Sequence, residues 1–328
     1  MNDTPENAIA TTCLWCGGAD TSALWPEDRG GEFHLQRCET CGAKFTTPWL
    51  SAAALADYYG ASYYGPTNRR FTPGLETLVG WFRQRRAARL DKLAPRGRVL
   101  DIGCGRGWTL AALRDRGWEA QGIELNSTAA QHAREVLGLA VECTGFEPAR
   151  WPAAQFDAIV LWHVLEHLPD ARGALDEIAR LLKPGGVLAL AVPNLASWQA
   201  HWSRYAWFHL DLPRHYWHFE ANWLTTQLNE RGLRVVACHH ASLEQNVFGW
   251  LQSALNRCGL RFNLLYDLLR EPAARTVRHP WRATPIQAAL SLVGAIALLP
   301  VALVLTLFEA WAGRGGTIEL YAVREDAP

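Results

Sequence analysis

Four cysteines near the start of the chain stand in two matched pairs, Cys13 and Cys16, then Cys38 and Cys41. A Cys-x2-Cys knuckle aims two thiolates at one point, and two knuckles close a tetrahedral sulfur site of the kind that suits zinc. Gly17 and Gly42 directly follow the second cysteine of each pair, where the chain must turn back. A site closed by four protein ligands is structural rather than catalytic, so the spacing implies structural Zn(2+). The alternative, four unrelated buried thiols, does not account for the matched spacing. The other cysteines, Cys104, Cys143, Cys238 and Cys258, are scattered and read as small core residues.

A second constellation runs Asp101-Ile102-Gly103-Cys104-Gly105-Arg106-Gly107, at the end of an apolar stretch. Small residues between a strand and a helix let a ligand approach the backbone closely. Glu124 ends the next apolar stretch, 21 residues after Gly103, where a carboxylate can accept both hydroxyls of a ribose. A dinucleotide and an adenosine with a non-phosphate tail both fit such a turn. Asp101 favours the second, because a carboxylate inside the loop repels a pyrophosphate and attracts an ammonium group. Histidines form two further groups: His163 and His167, then His201, His209, His215 and His218. Histidine is the commonest base for taking a proton from a hydroxyl.

These residues need elements to position them. Arg98–Gly103, Ala120–Leu125, Ala140–Cys143, Asp157–His163 and Val187–Pro193 read as strands. Helical stretches at Thr109–Arg116, Ser127–Leu137 and Arg172–Leu182 separate them, and Lys183–Gly186 reads as a turn. Strand–helix alternation of this kind predicts a parallel α/β sheet with helices on both faces. Upstream, the Tyr-rich segment from Tyr58 to Tyr64 reads as a connector, and Leu75–Leu93 as a helix whose Arg83, Arg85, Arg86 and Arg89 form a solvated face.

The strand and loop motifs resemble those of the class I S-adenosylmethionine-dependent methyltransferases. DIGCGRG resembles their first motif, FDAIVLWHVLEHLPD (156–170) their fourth strand and following loop, and LLKPGGVLALAVPN (181–194) their fifth-strand motif. HVLEH is similar to quinone-precursor O-methyltransferases, and an N-terminal ribbon before a Tyr-rich stretch resembles a bacterial subgroup that includes sugar methyltransferases. The resemblance implies a Rossmann-like seven-stranded sheet plus a small zinc ribbon, with S-adenosylmethionine as cofactor. It places Asp101, Gly103, Gly105, Glu124, Leu125, Phe146, Trp162 and His163 around that cofactor. Where such enzymes carry an Asp near the adenine, this chain has Cys143-Thr144-Gly145-Phe146-Glu147, so Phe146 would stack and Thr144 or Glu147 would bond the edge. The segment LDLPRHYWHF (210–219) resembles one lying over the acceptor site. It makes His215 the candidate base or acceptor-orienting residue, against a structural hydrogen bond in an aromatic lid. His163 is expected beside the methionine tail, and His167 to brace the loop with Glu166.

Composition narrows the function further. Lys+Arg and Asp+Glu are both 32, and residues 1–50 hold three basic against seven acidic residues, a poor profile for gripping nucleic acid. An Asn/Asp-Pro-Pro-aromatic run, expected for base-nitrogen methylation, is replaced by Trp162-His163-Val164-Leu165. The polar, acidic N-terminus does not read as a targeting signal, so a cytoplasmic chain, peripheral or monotopic at the inner membrane, is expected. Ala283–Phe308 carries no charge, and Pro300 divides it. Thr317–Arg324 must rejoin the same sheet as Leu233–His240, so a single membrane pass is excluded and a hairpin bent at Pro300, dipping into the inner leaflet, is expected. Arg257, Arg261, Arg270, Arg275, Arg278 and Arg282 outnumber Glu244, Asp267 and Glu271 beside it, as an anionic leaflet would favour. A buried or dimer-forming helix pair is the alternative. The expected organisation is a ribbon (1–50), a linker and helix (51–96), a core (97–240), a helical insertion with the apolar hairpin (241–316) and a last strand (317–328). The function expected is O-methylation of an amphipathic or lipid-linked small molecule at the inner membrane face. A soluble sugar C- or O-methyltransferase and a non-catalytic cofactor-binding recruitment module are the rivals.

Overall fold

A computed structural model describes residues 12–25, 32–51, 54–55, 58, 73–270 and 284–325. Most of the Tyr-rich connector and the arginines at 275, 278 and 282 lie outside the described residues. The N-terminal unit is an antiparallel sheet of β1 (Thr21–Ala23), β2 (His34–Cys38) and β3 (Lys44–Thr47). Helix α1 (Pro73–Leu90) leads into β4 (Arg98–Ile102), α2 (Trp108–Arg114), β5 (Glu119–Ile123), α3 (Ser127–Glu135), β6 (Ala140–Glu142) and β7 (Phe156–Trp162). Next come α4 (Ala171–Leu181), β8 (Leu182–Pro193), α5 (Trp198–Ser203), α6 (Ala221–Asn229) and β9 (Leu233–His239). The chain ends with α7 (Leu243–Arg257), α8 (Leu264–Leu269), α9 (Pro285–Trp311) and β10 (Thr317–Arg324).

Seven strands form one sheet in the order β6-β5-β4-β7-β8-β10-β9, and β10 runs antiparallel to both of its neighbours. This is the expected Rossmann-like methyltransferase sheet. Central strands are apolar on both faces because helices cover both: β4 is buried from Val99 to Ile102. At the edge, β9 alternates exposed residues with half-buried ones after the buried Leu233. The order reverses between β4 and β7, which opens a crevice at the carboxyl ends of those strands.

Three expectations need correction. Lys183–Gly186 does not precede β8 as a separate turn; it bulges within it, between the pairs Phe156–Leu182 and Ala158–Val187, and Lys183 Nζ reaches back 2.8 Å to Asp157. The arginines of α1 are not all solvated. Arg86 pairs with Glu244 and lies 4.4 Å over the Trp162 ring, while Arg89 pairs with Glu319 of β10. Of the scattered cysteines, Cys143, Cys238 and Cys258 are exposed rather than core.

The hairpin is also corrected. The described part of the uncharged run, from Thr284 on, folds not into two helices but into α9, one helix of 27 residues, about 40 Å long. Pro300 costs one backbone hydrogen bond, but a packed seam runs past it on both sides: Ser291, Ala302, Thr306 and Glu309 are buried, and Ala295, Leu298 and Leu305 rest on α7 and α8. A break at Pro300 would forfeit that seam. Elsewhere the helix is bare: Ile286, Val293, Ile296, Val304, Leu307 and Phe308 are all more than half exposed, and Trp311 is 86% exposed.

Candidate active site

Three loops meet at the carboxyl edge of the sheet, following β4, β5 and β7. In the first, Gly103, Gly105 and Gly107 all have positive φ, at +68°, +57° and +82°. Their reasons differ. A Cβ on Gly103 would meet the Val164 side chain at 2.7 Å, and one on Gly107 would meet Leu139 at 2.5 Å. Packing therefore demands both. A Cβ on Gly105 would meet no heavy atom within 4 Å, so this glycine borders open space where a ligand can lie on the backbone. Beside it, Glu124 Oε2 accepts from the Gly105 N–H at 2.8 Å and Oε1 accepts from the Asn126 N–H at 2.8 Å. Asn126 in turn caps α3 through the Ala129 N–H. Asp101 is 3% exposed. Burial, with the Glu124 charge adding to it, pushes its carboxyl up to about 8. A buried acid poised in this way is stabilised as the anion when a cation arrives, and the set fits an adenosine with an ammonium-bearing tail. Leu125 lies 76% exposed after β5, and Phe146 is half-buried against the core. Trp162 turns under Arg86 into the packing beneath α1.

The third loop faces the histidines. His163, just after β7, adopts a φ of +55°, an uncommon conformation for a side chain with Cβ and one found at functional loops. Its Nδ1 lies 3.2 Å from Glu166 Oε1. Glu166 thus faces both His163 and His167, and His167 Nδ1 is held by the Arg214 carbonyl at 3.0 Å. The order of bonds follows from the 3-10 turn Leu165–His167, which swings Glu166 inward. Glu166 is buried completely, and that burial pushes its carboxyl up to about 7. His215 packs edge-on to His167 with ring centroids 4.6 Å apart, and its Nε2 is 3.8 Å from Asp211 Oδ2. Burial, then the neighbouring His167, His218 and Arg214, holds the His215 ring well below the usual histidine range, so it is neutral. Ligand atoms of Glu166, His167 and His215 all lie within 4.8 Å of one another. His209 stacks on His163 with ring centroids 6.5 Å apart and is brought down to about 3 by burial. It belongs to the cluster that sequence reasoning noted but not to the residues chosen from it.

The four N-terminal cysteines converge as the spacing requires. Their sulfurs lie within 4.8 Å of one another, with Cys13 3.8 Å from Cys41 and Cys16 3.6 Å from Cys38. Zinc–sulfur bonds of about 2.3 Å at tetrahedral angles place sulfurs about 3.8 Å apart. Gly17 and Gly42 take positive φ and donate to the Cys13 and Cys38 carbonyls, which closes each knuckle. Burial pushes the Cys13 thiol up to about 11, so a cation is needed to hold it as thiolate. The ribbon does not stand apart. Trp15 Nε1 donates to Gln227 and Trp223 Nε1 to the Cys41 carbonyl, and Cys13, Trp15 and Phe45 share one core with β4, β7 and β8.

Against this geometry, residues 79–238 match a family model described as a methyltransferase domain. A ubiquinone biosynthesis O-methyltransferase of Alkalilimnicola ehrlichii is 38% identical over 103 residues, covering 30% of this chain and 42% of that protein. The same enzyme of Coxiella burnetii is 34% identical over 101 residues, covering 29% and 43%. The chain thus spans less than half the length of these relatives. A solved S-adenosylmethionine-dependent methyltransferase of Archaeoglobus fulgidus is 18% identical, with a TM-score of 0.45 over 74% of this chain and 94% of that one. Residues 79–238 of this chain are a domain of the class I S-adenosylmethionine-dependent methyltransferase family.

Proposed function

We propose that this protein transfers a methyl group from S-adenosylmethionine to a hydroxyl of an amphipathic or lipid-linked small molecule at the inner face of a membrane. The observation that carries the reading is the meeting of two halves at one sheet edge: the open backbone at Gly105 beside Asp101 and Glu124, and the buried histidine cluster after β7. Asp101, Gly105 and Glu124 would hold the cofactor, which when bound supplies an electrophilic methyl group. The chain's own task is to orient the acceptor and take its proton. His215 enters neutral, so it can accept that proton at a ring nitrogen. The Asp211 carboxylate 3.8 Å from Nε2, and Glu166 nearby, stabilise the imidazolium that forms. In the ribbon, Cys13, Cys16, Cys38 and Cys41 would hold one structural zinc, as their sulfur spacing favours.

The membrane part of the reading rests on α9. Its bare face is continuous and uncharged, and Trp198, Trp202 and Trp311 are exposed beside its carboxyl end, like rings that settle at a lipid headgroup boundary. Packed along α7, the helix lies on the domain as a surface, which suits a protein resting on one leaflet. Incubating the protein with methyl-labelled S-adenosylmethionine and bacterial membrane lipid extract tests the function. Mass spectrometry should find the label on an oxygen of a lipid-soluble product. Label confined to water-soluble sugars would favour the soluble sugar reading, and a full-length dimer that stays in solution without detergent would assign the α9 face to a second copy.

A further inference from the structure

The ribbon and the histidine segment are joined by strand pairing. Residues 215–219 lie between β3 and the loop after β7. On one side, the Tyr216 and Trp217 N–H groups donate to the Glu166 carbonyl. On the other, the Thr46 N–H donates to the Tyr216 carbonyl at 2.9 Å and the His218 N–H to the Lys44 carbonyl at 2.9 Å, with Phe45 bridging Trp217. Trp49 stacks on Tyr216 at 4.8 Å, and Lys44 pairs with Glu220 at 2.8 Å. At the centre is Thr46, 2% exposed, whose Oγ1 lies 2.6 Å from the His215 carbonyl and 2.9 Å from His218 Nε2. A threonine hydroxyl has one proton. The carbonyl can only accept, so that proton goes to it, and the hydroxyl must accept from His218 Nε2–H. This fixes His218 as the Nε2–H tautomer.

We propose that the ribbon is a working wall of the acceptor site, and that Thr46 is a positioning residue that sets the backbone of His215 and the tautomer of His218. The proposal rests on the reading of His215 as the group that takes the acceptor's proton. A base must be held within a fraction of an ångström of its productive place. His215 sits on an irregular segment after the 3-10 turn Phe208–Leu210, held within its own domain by the Asp211 carbonyl and, one residue on, by the Glu166 carbonyl. The ribbon supplies the pairing strand on the other side, and the knuckle at Cys38 and Cys41 sets the start of β3 three residues later.

The test compares full-length wild type, Thr46→Val and Thr46→Ser by three measurements: histidine ring nitrogen NMR, calorimetry with S-adenosylhomocysteine, and label transfer to membrane lipid extract. Wild type should show His218 as the Nε2–H tautomer. Thr46→Val should lose that single tautomer and lower the transfer rate at least about tenfold, while homocysteine-adduct affinity stays within about twofold. Thr46→Ser, which keeps the hydroxyl, should restore both to within about twofold of wild type. An unchanged tautomer and rate in Thr46→Val would overturn the proposal, and so would a parallel loss of cofactor affinity, which marks general unfolding. If wild type labels nothing in the extract but His218 behaves as expected, it is the methyl-transfer reading that fails, and Thr46 is then a structural contact alone.

Discussion

The side of the crevice proposed for the cofactor is made by seven consecutive residues, Asp101 to Gly107, and one carboxylate at the end of the adjacent strand. The histidine side takes its groups from three segments, and Thr46 stands 169 positions from His215. The first half is set by a turn in which Val164 and Leu139 dictate Gly103 and Gly107, so all its parts come from the seven-stranded sheet and the loops at its edge. The second also draws on the ribbon, because residues 215–219 lie between β3 and the Glu166 carbonyl. The two halves should therefore fail separately.

The largest effect is expected at the histidines. His215→Gln should lower methyl transfer by about 10²–10⁴ while leaving S-adenosylhomocysteine affinity intact. A variant with unchanged turnover would remove His215 from the chemistry. On the other side, Gly105→Val places a branched side chain at a φ of +57°, in the space a ligand needs. Affinity should fall by about a hundredfold or more, with the histidine spectra unchanged. Elemental analysis should find one zinc per chain in wild type and none in Cys38→Ser. The substitution should also speed hydrogen exchange at residues 215–219 much more than at Asp101–Gly107, because residues 215–219 hydrogen-bond directly to β3 of the ribbon. Full metal content in this variant would refute the ribbon site.

A smaller effect concerns pH. Asp101 sits at about 8 in the free protein, and an ammonium beside it stabilises the anion, so binding releases a proton below that pH. Affinity for S-adenosylhomocysteine should rise with pH, by at most about tenfold per unit, and level off above about 8. A flat profile between pH 6 and 8 would mean that Asp101 does not meet the cation. The smallest effect on the fold is expected on α9. Ile296→Lys with Leu307→Lys changes two exposed side chains and should alter stability by only about 0.5 kcal/mol. Sedimentation should show the protein leaving the membrane fraction. Unchanged sedimentation, with light scattering reporting a dimer split into monomers, would give this face to a second copy.

The same contrast explains what the sequence could reveal. Short-range signals were legible: the strand-turn-helix at Asp101–Gly107, the acid at Glu124, the paired cysteines and the returning strand Thr317–Arg324 all took the places their spacing implied. Long-range ones were not. Nothing around Thr46 marks it as a partner of His215, because the contact arises from how two units dock. The turn at Leu165–His167 brings Glu166 to His163 as well as to His167, and the sequence reading includes only the second of these. Pro300 signalled a break, and an isolated helix would have one there. The seam against α7, invisible to local pattern, carries the helix through.

Calorimetry with S-adenosylhomocysteine across wild type, His215→Gln and Gly105→Val bears most directly on the claim that one edge of this sheet holds a preformed cofactor site next to a separately built acceptor site. Wild type and His215→Gln should bind alike, Gly105→Val should show no measurable heat, and NAD should bind none of them. Equal binding of NAD by wild type, or loss of affinity in His215→Gln matching that in Gly105→Val, would contradict the account.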